Sequence, residues 1–330
     1  MMTDILLIAK NNSHYCKFSN YLLVLQVREL NKMRLTEKII KCLQDSFDTL
    51  IYFLTMAAKE DFRNHVGRAG AQDMIATKRL AILGNGPSLK EQLPRLIAQE
   101  EWKQADMMAV NFFALSEEFT IVKPKYYVIS DPMFFRKAGA SERITALYNA
   151  LATKVNWAMT LYVQYYNPEH FDYAAAIGNN PNIRIVPFHS TVFHGFRKVE
   201  FWCYRHGFGS GNWGTVVQNG ILTGIQIGYR TIELYGVDHT LLDGLTVDEQ
   251  NRLCRIKSHY YDSAPTVAEP IYYNATNPPR PYTMAEYLAE TAELFRGHEV
   301  LRDYAMTQGV DIVNRTEGSL IDAYKRNPMK

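Results

Sequence analysis

The hydrophobic pattern of the chain changes period near residue 79. Before it, Ile39, Ile40, Leu43, Phe47, Leu50, Ile51 and Leu54 recur at helical spacing, and Leu22, Val24, Leu25, Val27 and Leu30 form an earlier apolar cluster. Residues 1–78 therefore read as an N-terminal helical region. From residue 79 onward, short apolar runs alternate with longer amphipathic ones. The pattern predicts strands at 79–83, 107–110, 126–130, 157–163, 183–186, 231–235 and 311–313, and helices at 88–99, 141–152, 212–227 and 283–308. Such alternation implies an α/β fold over 79–330, Rossmann-like, with a largely parallel sheet and helices on both faces. Ligands of these sheets lie beyond the C-terminal ends of the strands. Gly84-Asn85, Asn111, Ser130-Asp131-Pro132 and Gly236-Val237-Asp238 should therefore gather in one cleft. Residues 240–282 carry little periodicity and read as a lid or binding loop.

Composition narrows the classes. A net charge of +2 with 21% charged residues, and no basic block, exclude a dedicated nucleic-acid binder. Cys16, Cys42, Cys203 and Cys254 lie far apart without a C-x-x-C pair, which fits reduced thiols in a cytoplasmic protein. The apolar runs are too short or too polar to cross a bilayer, and Met1–Lys10 lacks the features of a signal peptide. Residues 1–78 carry more basic than acidic side chains. Their helices are expected to pack on the chain itself, to meet a neighbouring subunit of a homo-oligomer, or to lie peripherally on the inner membrane. His189, His194 and His206 lack metal-ligand spacing and read as structural.

The densest chemical signal is Ala81-Ile82-Leu83-Gly84-Asn85-Gly86-Pro87-Ser88-Leu89-Lys90. A strand ends at Gly84, and Pro87 stands where a helix begins, a position at which its missing N–H costs no hydrogen bond. Glycines allow a sharp turn and close approach, and a helix N-terminus favours an anion such as a phosphate. An ordinary βα turn has the same outline. Asn111 closes one later strand, and Asp131 another. Gly209-Ser210-Gly211-Asn212 opens the predicted helix at 212–227, and Gly236-Val237-Asp238 closes the strand after it. Ser258-His259-Tyr260 falls in the lid-like segment, and no D-x-D triplet occurs.

In this order these residues resemble the bacterial sialyltransferases of glycosyltransferase family 42, over roughly residues 79–324. The ending Asn314-Arg315-Thr316-Glu317-Gly318-Ser319 is similar to the close of related surface-polysaccharide proteins. The resemblance implies a GT-A-like variant of the Rossmann fold with a flexible lid. It implies an inverting enzyme that needs no metal or other cofactor and moves a CMP-activated sugar acid to a glycan such as lipooligosaccharide. It places Gly84, Asn85, Gly86 and Ser88 at the nucleotide and its phosphate, and Asn111 and Asp131 in the donor pocket. It places Ser210 and Gly211 near the phosphate or sugar carboxylate, Asp238 against the nucleotide, and His259 as general base. Three departures stand out: Gly207 where a basic residue is expected, His239-Thr240 where tyrosines hold the leaving phosphate, and Asp131 in place of Asn. Two other readings share the opening motif. One is an MptE-like pterin pyrophosphokinase using ATP and Mg²⁺ at Asp131 and Asp238. The other is a non-catalytic nucleotide-binding protein.

Overall fold

The computed structural model describes residues 35–73, 77–135, 141–165, 171–256, 268–273 and 278–328. Eight strands form one parallel sheet: β1 (Arg79–Leu83), β2 (Asp106–Val110), β3 (Tyr126–Ile129), β4 (Met159–Gln164), β5 (Ile183–Phe188), β6 (Thr231–Tyr235), β12 (Asp311–Asn314) and β13 (Lys325–Arg326). Their order is β13-β12-β6-β1-β2-β3-β4-β5. Between β6 and β12, β7 (Leu245–Val247), β8 (Leu253–Arg255) and β9 (Glu269–Pro270) make a small antiparallel sheet, and β10 (Tyr272–Tyr273) pairs with β11 (Arg280–Pro281). The helices are α1 (35–59), α2 (His65–Gln72), α3 (Leu89–Ala98), α4 (Phe119–Val122), α5 (Glu142–Lys154), α6 (Tyr173–Ala176), α7 (Arg197–Arg205), α8 (Val216–Ile227) and α9 (Met284–Gln308).

The central strands β1, β2, β3 and β4 read as largely apolar runs because they are buried on both faces, as parallel sheets require, whereas β13 at the sheet edge is the exposed pair Lys325–Arg326. Alternation sends Leu80, Ile82, Met108, Val110, Ile232 and Leu234 to one face, where they pack on Val66 of α2, Ile221 of α8 and Leu301 of α9. Ala81, Leu83, Met107 and Ala109 point to the other face, against Leu93 of α3 and Leu147 of α5. The Rossmann-like expectation holds, and the seven predicted strands lie within two residues of their observed bounds. Glu233, almost fully buried in the middle of β6, is held by Arg79 of β1 at 2.8 Å and by two nitrogens of Arg315 at 3.0 and 2.5 Å. Two guanidinium groups thereby offset the cost of burying one carboxylate.

Two expectations are revised, the start of α8 and the packing of α1, and two further segments gain detail. The helix expected at 212–227 begins only at Val216, because Thr215 adopts an extended backbone and caps it, its hydroxyl accepting from the Val217 N–H. The lid-like stretch forms short antiparallel strands among its described residues; runs of two or three residues are too brief to show a period. The closing motif after Asn314 leads to β13 and not to a helix. The apolar row of α1 does not pack on the described part of its own chain: Leu43, Phe47, Leu50 and Leu54 are exposed, whereas Tyr52 and Met56 are the buried anchors, against Phe193 and Cys203. No helix among the described residues is long and apolar enough to cross a membrane.

Candidate functional site

In this sheet order, β1 is flanked on one side by β2 and on the other by β6, which follows five strands later in the chain. The C-terminal ends of these three strands open a cavity of about 560 Å³ at the point where the order reverses. Asn85, Asn111, Val217, Asp238, His239 and Arg255 are among its lining residues.

The glycine motif is built first for its own chain. The Gly84 N–H donates to the Tyr235 carbonyl and the Gly86 N–H to the Gly236 carbonyl, both at 2.8 Å, which continues the β1–β6 ladder past the strand ends. A β-carbon at Gly84 would sit 2.4 Å from the Gly236 oxygen, and one at Gly86 would sit 1.8 Å from Asp238 Oδ2. Ser88 donates its N–H to Asp238 Oδ1 at 3.2 Å and its hydroxyl to Asp238 Oδ2 at 2.9 Å. The chain's own Asp238 carboxylate therefore stands at the start of α3. Burial raises the Asp238 pKa, against the lowering effect of the two Ser88 hydrogen bonds. The closing motif braces this clasp from behind. Thr316 Oγ1 accepts from the Val237 N–H at 3.0 Å, the Ser319 hydroxyl donates to the Val237 carbonyl at 2.8 Å, and the Leu320 N–H donates to the Asp238 carbonyl at 2.9 Å. Asn314, fully buried, steadies Ser319 at 2.9 Å.

Two residues of the cavity lining carry an amide oxygen without a partner. Asn85 donates its amide N–H to the Val110 carbonyl at 2.9 Å, which fixes the amide and leaves Oδ1 buried without a partner. Asn111 Oδ1 is also buried without a partner. Asn111 sits at φ 48°, a left-handed conformation held by the Tyr127 hydroxyl, which donates to the Asn111 carbonyl at 2.5 Å. The same hydroxyl accepts the Ala114 N–H at 2.8 Å. An unsatisfied buried acceptor costs about 1–3 kcal/mol, and backbone strain of this kind clusters at functional sites.

The opposite wall holds an imidazole pair. His239 Nε2 lies 3.0 Å from His298 Nε2, and His298 Nδ1 lies 2.9 Å from the Tyr324 hydroxyl. Burial pushes the His239 pKa down to about 4. Burial, with the neighbouring His239 charge, holds His298 well below the ordinary value. Both rings are neutral at pH 7. The unfolded His239 side chain takes up a proton near its reference pKa of about 6.5, and the folded one only near 4. This contribution to stability is present at neutral pH and is lost as pH falls from about 6.5 toward 4. The stability difference between wild type and His239→Phe is expected to shrink between pH 7 and pH 5, measured as urea midpoints at each pH. Near the same wall, the Arg255 guanidinium donates to the Tyr287 hydroxyl at 2.7 Å. The first turn of α8 also lines the cavity, through Val216 and Val217.

Of the sequence-derived candidates, Asn85, Gly86, Asn111 and Asp238 line the cavity, and Gly84 and Ser88 support it from behind. Ser210 and Gly211 do not join them. Ser210 is buried in a backbone bridge to Val192, and Gly211 packs on Trp213 beside a different cavity. The start of α8, with Thr215 as its cap, takes the place expected of that pair. Asp131 is exposed, and its Oδ1 accepts from the Met133 N–H at 2.9 Å in a turn away from the cavity lining. His259, Tyr260 and Tyr261 lie outside the described residues. Tyr272 and Tyr273 are described and do not line the cavity. Sequence reading missed Arg255, His298 and Tyr127. For Thr215 a signal was present: a Thr followed by an apolar helical run marks an N-cap. A scan against protein-family models and a search of curated proteins found no match to this chain.

Proposed function

We propose that the cleft binds a CMP-activated sugar acid and that the chain is a metal-independent, inverting glycosyltransferase that extends a surface glycan. The observation that carries this reading is the pair of buried, unpartnered amide oxygens of Asn85 and Asn111 at the ends of β1 and β2. They call for a ligand rich in hydrogen-bond donors. Cytidine supplies an exocyclic amine and two ribose hydroxyls. A single phosphate then needs few partners, and the first turn of α8 with the Arg255 guanidinium offers N–H dipoles and positive charge on the facing wall. The glycan acceptor approaches through the open mouth, bordered by Asp243, Gly244 and Ile256. His259 is the base in this scheme.

The pyrophosphokinase reading needs carboxylates free to hold Mg²⁺. Asp238 is engaged by Ser88 and Asp131 is not in the cavity lining, which leaves Asp243 at the rim as the other carboxylate of the lining. That arrangement favours the monophosphate donor. Thermal unfolding separates the readings. CMP without metal is expected to raise the melting temperature, by an amount equivalent to about 2.7 kcal/mol at a hundredfold excess over its dissociation constant. Asn111→Ala is expected to weaken CMP at least tenfold by removing one acceptor. Stabilisation by ATP with Mg²⁺ and not by CMP would establish the pyrophosphokinase instead, and no nucleotide effect would leave a non-catalytic protein.

A further inference from the structure

A second cluster of chemistry lies outside the cleft, where α1 ends, α2 begins and β5 gives way to its following loop. His65 Nε2 lies 3.0 and 3.1 Å from the two oxygens of Asp61. His189 Nε2 lies 3.5 Å from the same Asp61 Oδ1 and 2.9 Å from the Arg63 carbonyl oxygen. Both rings thus aim the same nitrogen at one carboxylate. The three donor groups all fall within 4.8 Å of one another. On its far side, His189 Nδ1 meets Glu60 Oε2 at 2.8 Å. Glu60 Oε1 is itself fixed by the N–H groups of Ser190 and Thr191 at 3.1 and 3.0 Å. The Tyr165 ring stacks on His189 at 5.4 Å and closes one side.

The geometry points to a divalent transition-metal site, with zinc as the ion its nitrogen and oxygen donors suit best: Asp61, His65 and His189 are the protein ligands, and the Arg63 carbonyl completes the set. Zinc holds imidazole nitrogen and carboxylate oxygen at about 2.0–2.1 Å, which places two tetrahedral ligands roughly 3.3 Å apart. The separations of 3.0 and 3.5 Å to Asp61 lie on either side of that value. The outer contact fits as well. A metal-bound imidazole ordinarily gives its other N–H to a carboxylate, which orients the ring, and Glu60 stands in that position for His189. None of these residues lines the cleft, so the inference is independent of the donor reading. The ion would pin the end of α1 and the start of α2 to the C-terminal edge of β5.

The test is calorimetric titration of the metal-stripped full-length chain with ZnCl₂ at pH 7.5, with His65→Ala and Asp61→Asn alongside. Both side chains are partly exposed, so their removal spares the core; circular dichroism confirms the fold. The expected result is one zinc per chain in wild type, weakened at least tenfold in each variant, with a zinc-dependent rise in melting temperature seen only in wild type. Unchanged affinity in the variants overturns the assignment by placing zinc elsewhere. Absence of binding in wild type overturns it by leaving only a proton-linked ion pair.

Discussion

Gly86→Ala is expected to destabilise the protein by about 3 kcal/mol or more, although it adds one methyl group. The added carbon would arrive 1.8 Å from Asp238 Oδ2, far inside any permitted contact. The backbone at Gly86 is not left-handed, so the cost is purely that of the collision. Two escapes exist, and each removes something buried. If Asp238 swings away, its carboxylate loses the Ser88 N–H and hydroxyl together. If the turn moves instead, the bond from the Gly86 N–H to the Gly236 carbonyl opens and the β1–β6 ladder loses its extension. A double-mutant cycle makes the cause visible. Asp238→Ala removes the closest atom that is struck and leaves the Gly236 carbonyl oxygen at 2.7 Å, so Gly86→Ala should cost less in that background without becoming neutral, with a coupling of at least about 1 kcal/mol. Additive urea-unfolding values for the two changes would show that the clasp is not what the glycine serves.

That expectation bears on what could be read from the sequence. The strand–turn–helix outline at Gly84–Leu89 was legible because β1 is buried on both faces and Pro87 marks a helix start. The reason for the glycines was not. Asp238, which Gly86 accommodates, and Gly236, which Gly84 accommodates, lie about 150 positions away, and no local pattern records which residue will reach a turn. The strands were legible for the same physical reason as β1: a parallel sheet with two covered faces writes itself as short apolar runs. Ser210 and Gly211 misled because a Gly-rich stretch before a helix resembles a phosphate loop. Here, Gly211 leaves room for the Trp213 ring, and the helix waits for Thr215. His298 was invisible as a site residue because it sits on α9 among ordinary core positions, and only tertiary folding sets it against His239. The exposed row on α1 was legible as a helix face, and its position away from the core was not, because periodicity reports that a face is apolar and not what covers it.

On the proposed transferase function, His259→Ala is expected to lower sugar transfer by about 10²–10⁴-fold, the range that a general base commands, while CMP affinity stays within about twofold. The case rests on which imidazole can act. Among the described residues, His239 is the histidine that lines the cavity. Its pKa of about 4 makes it a weak base at neutral pH, and its Nε2 is already shared with His298. A base for an acceptor hydroxyl is most effective with a pKa near the working pH, close to the reference histidine value of about 6.5. Arg255 and Ile256 lie on the cavity wall, and His259 follows Ile256 by three residues, at most about 10 Å of extended chain. Transfer by wild type should rise with pH along a limb centred near 6–7. If His259→Ala keeps that limb and most of its turnover, the base is another group. If the limb in wild type instead lies near pH 4, His239 is that group, and the imidazole pair with His298 becomes the catalytic element.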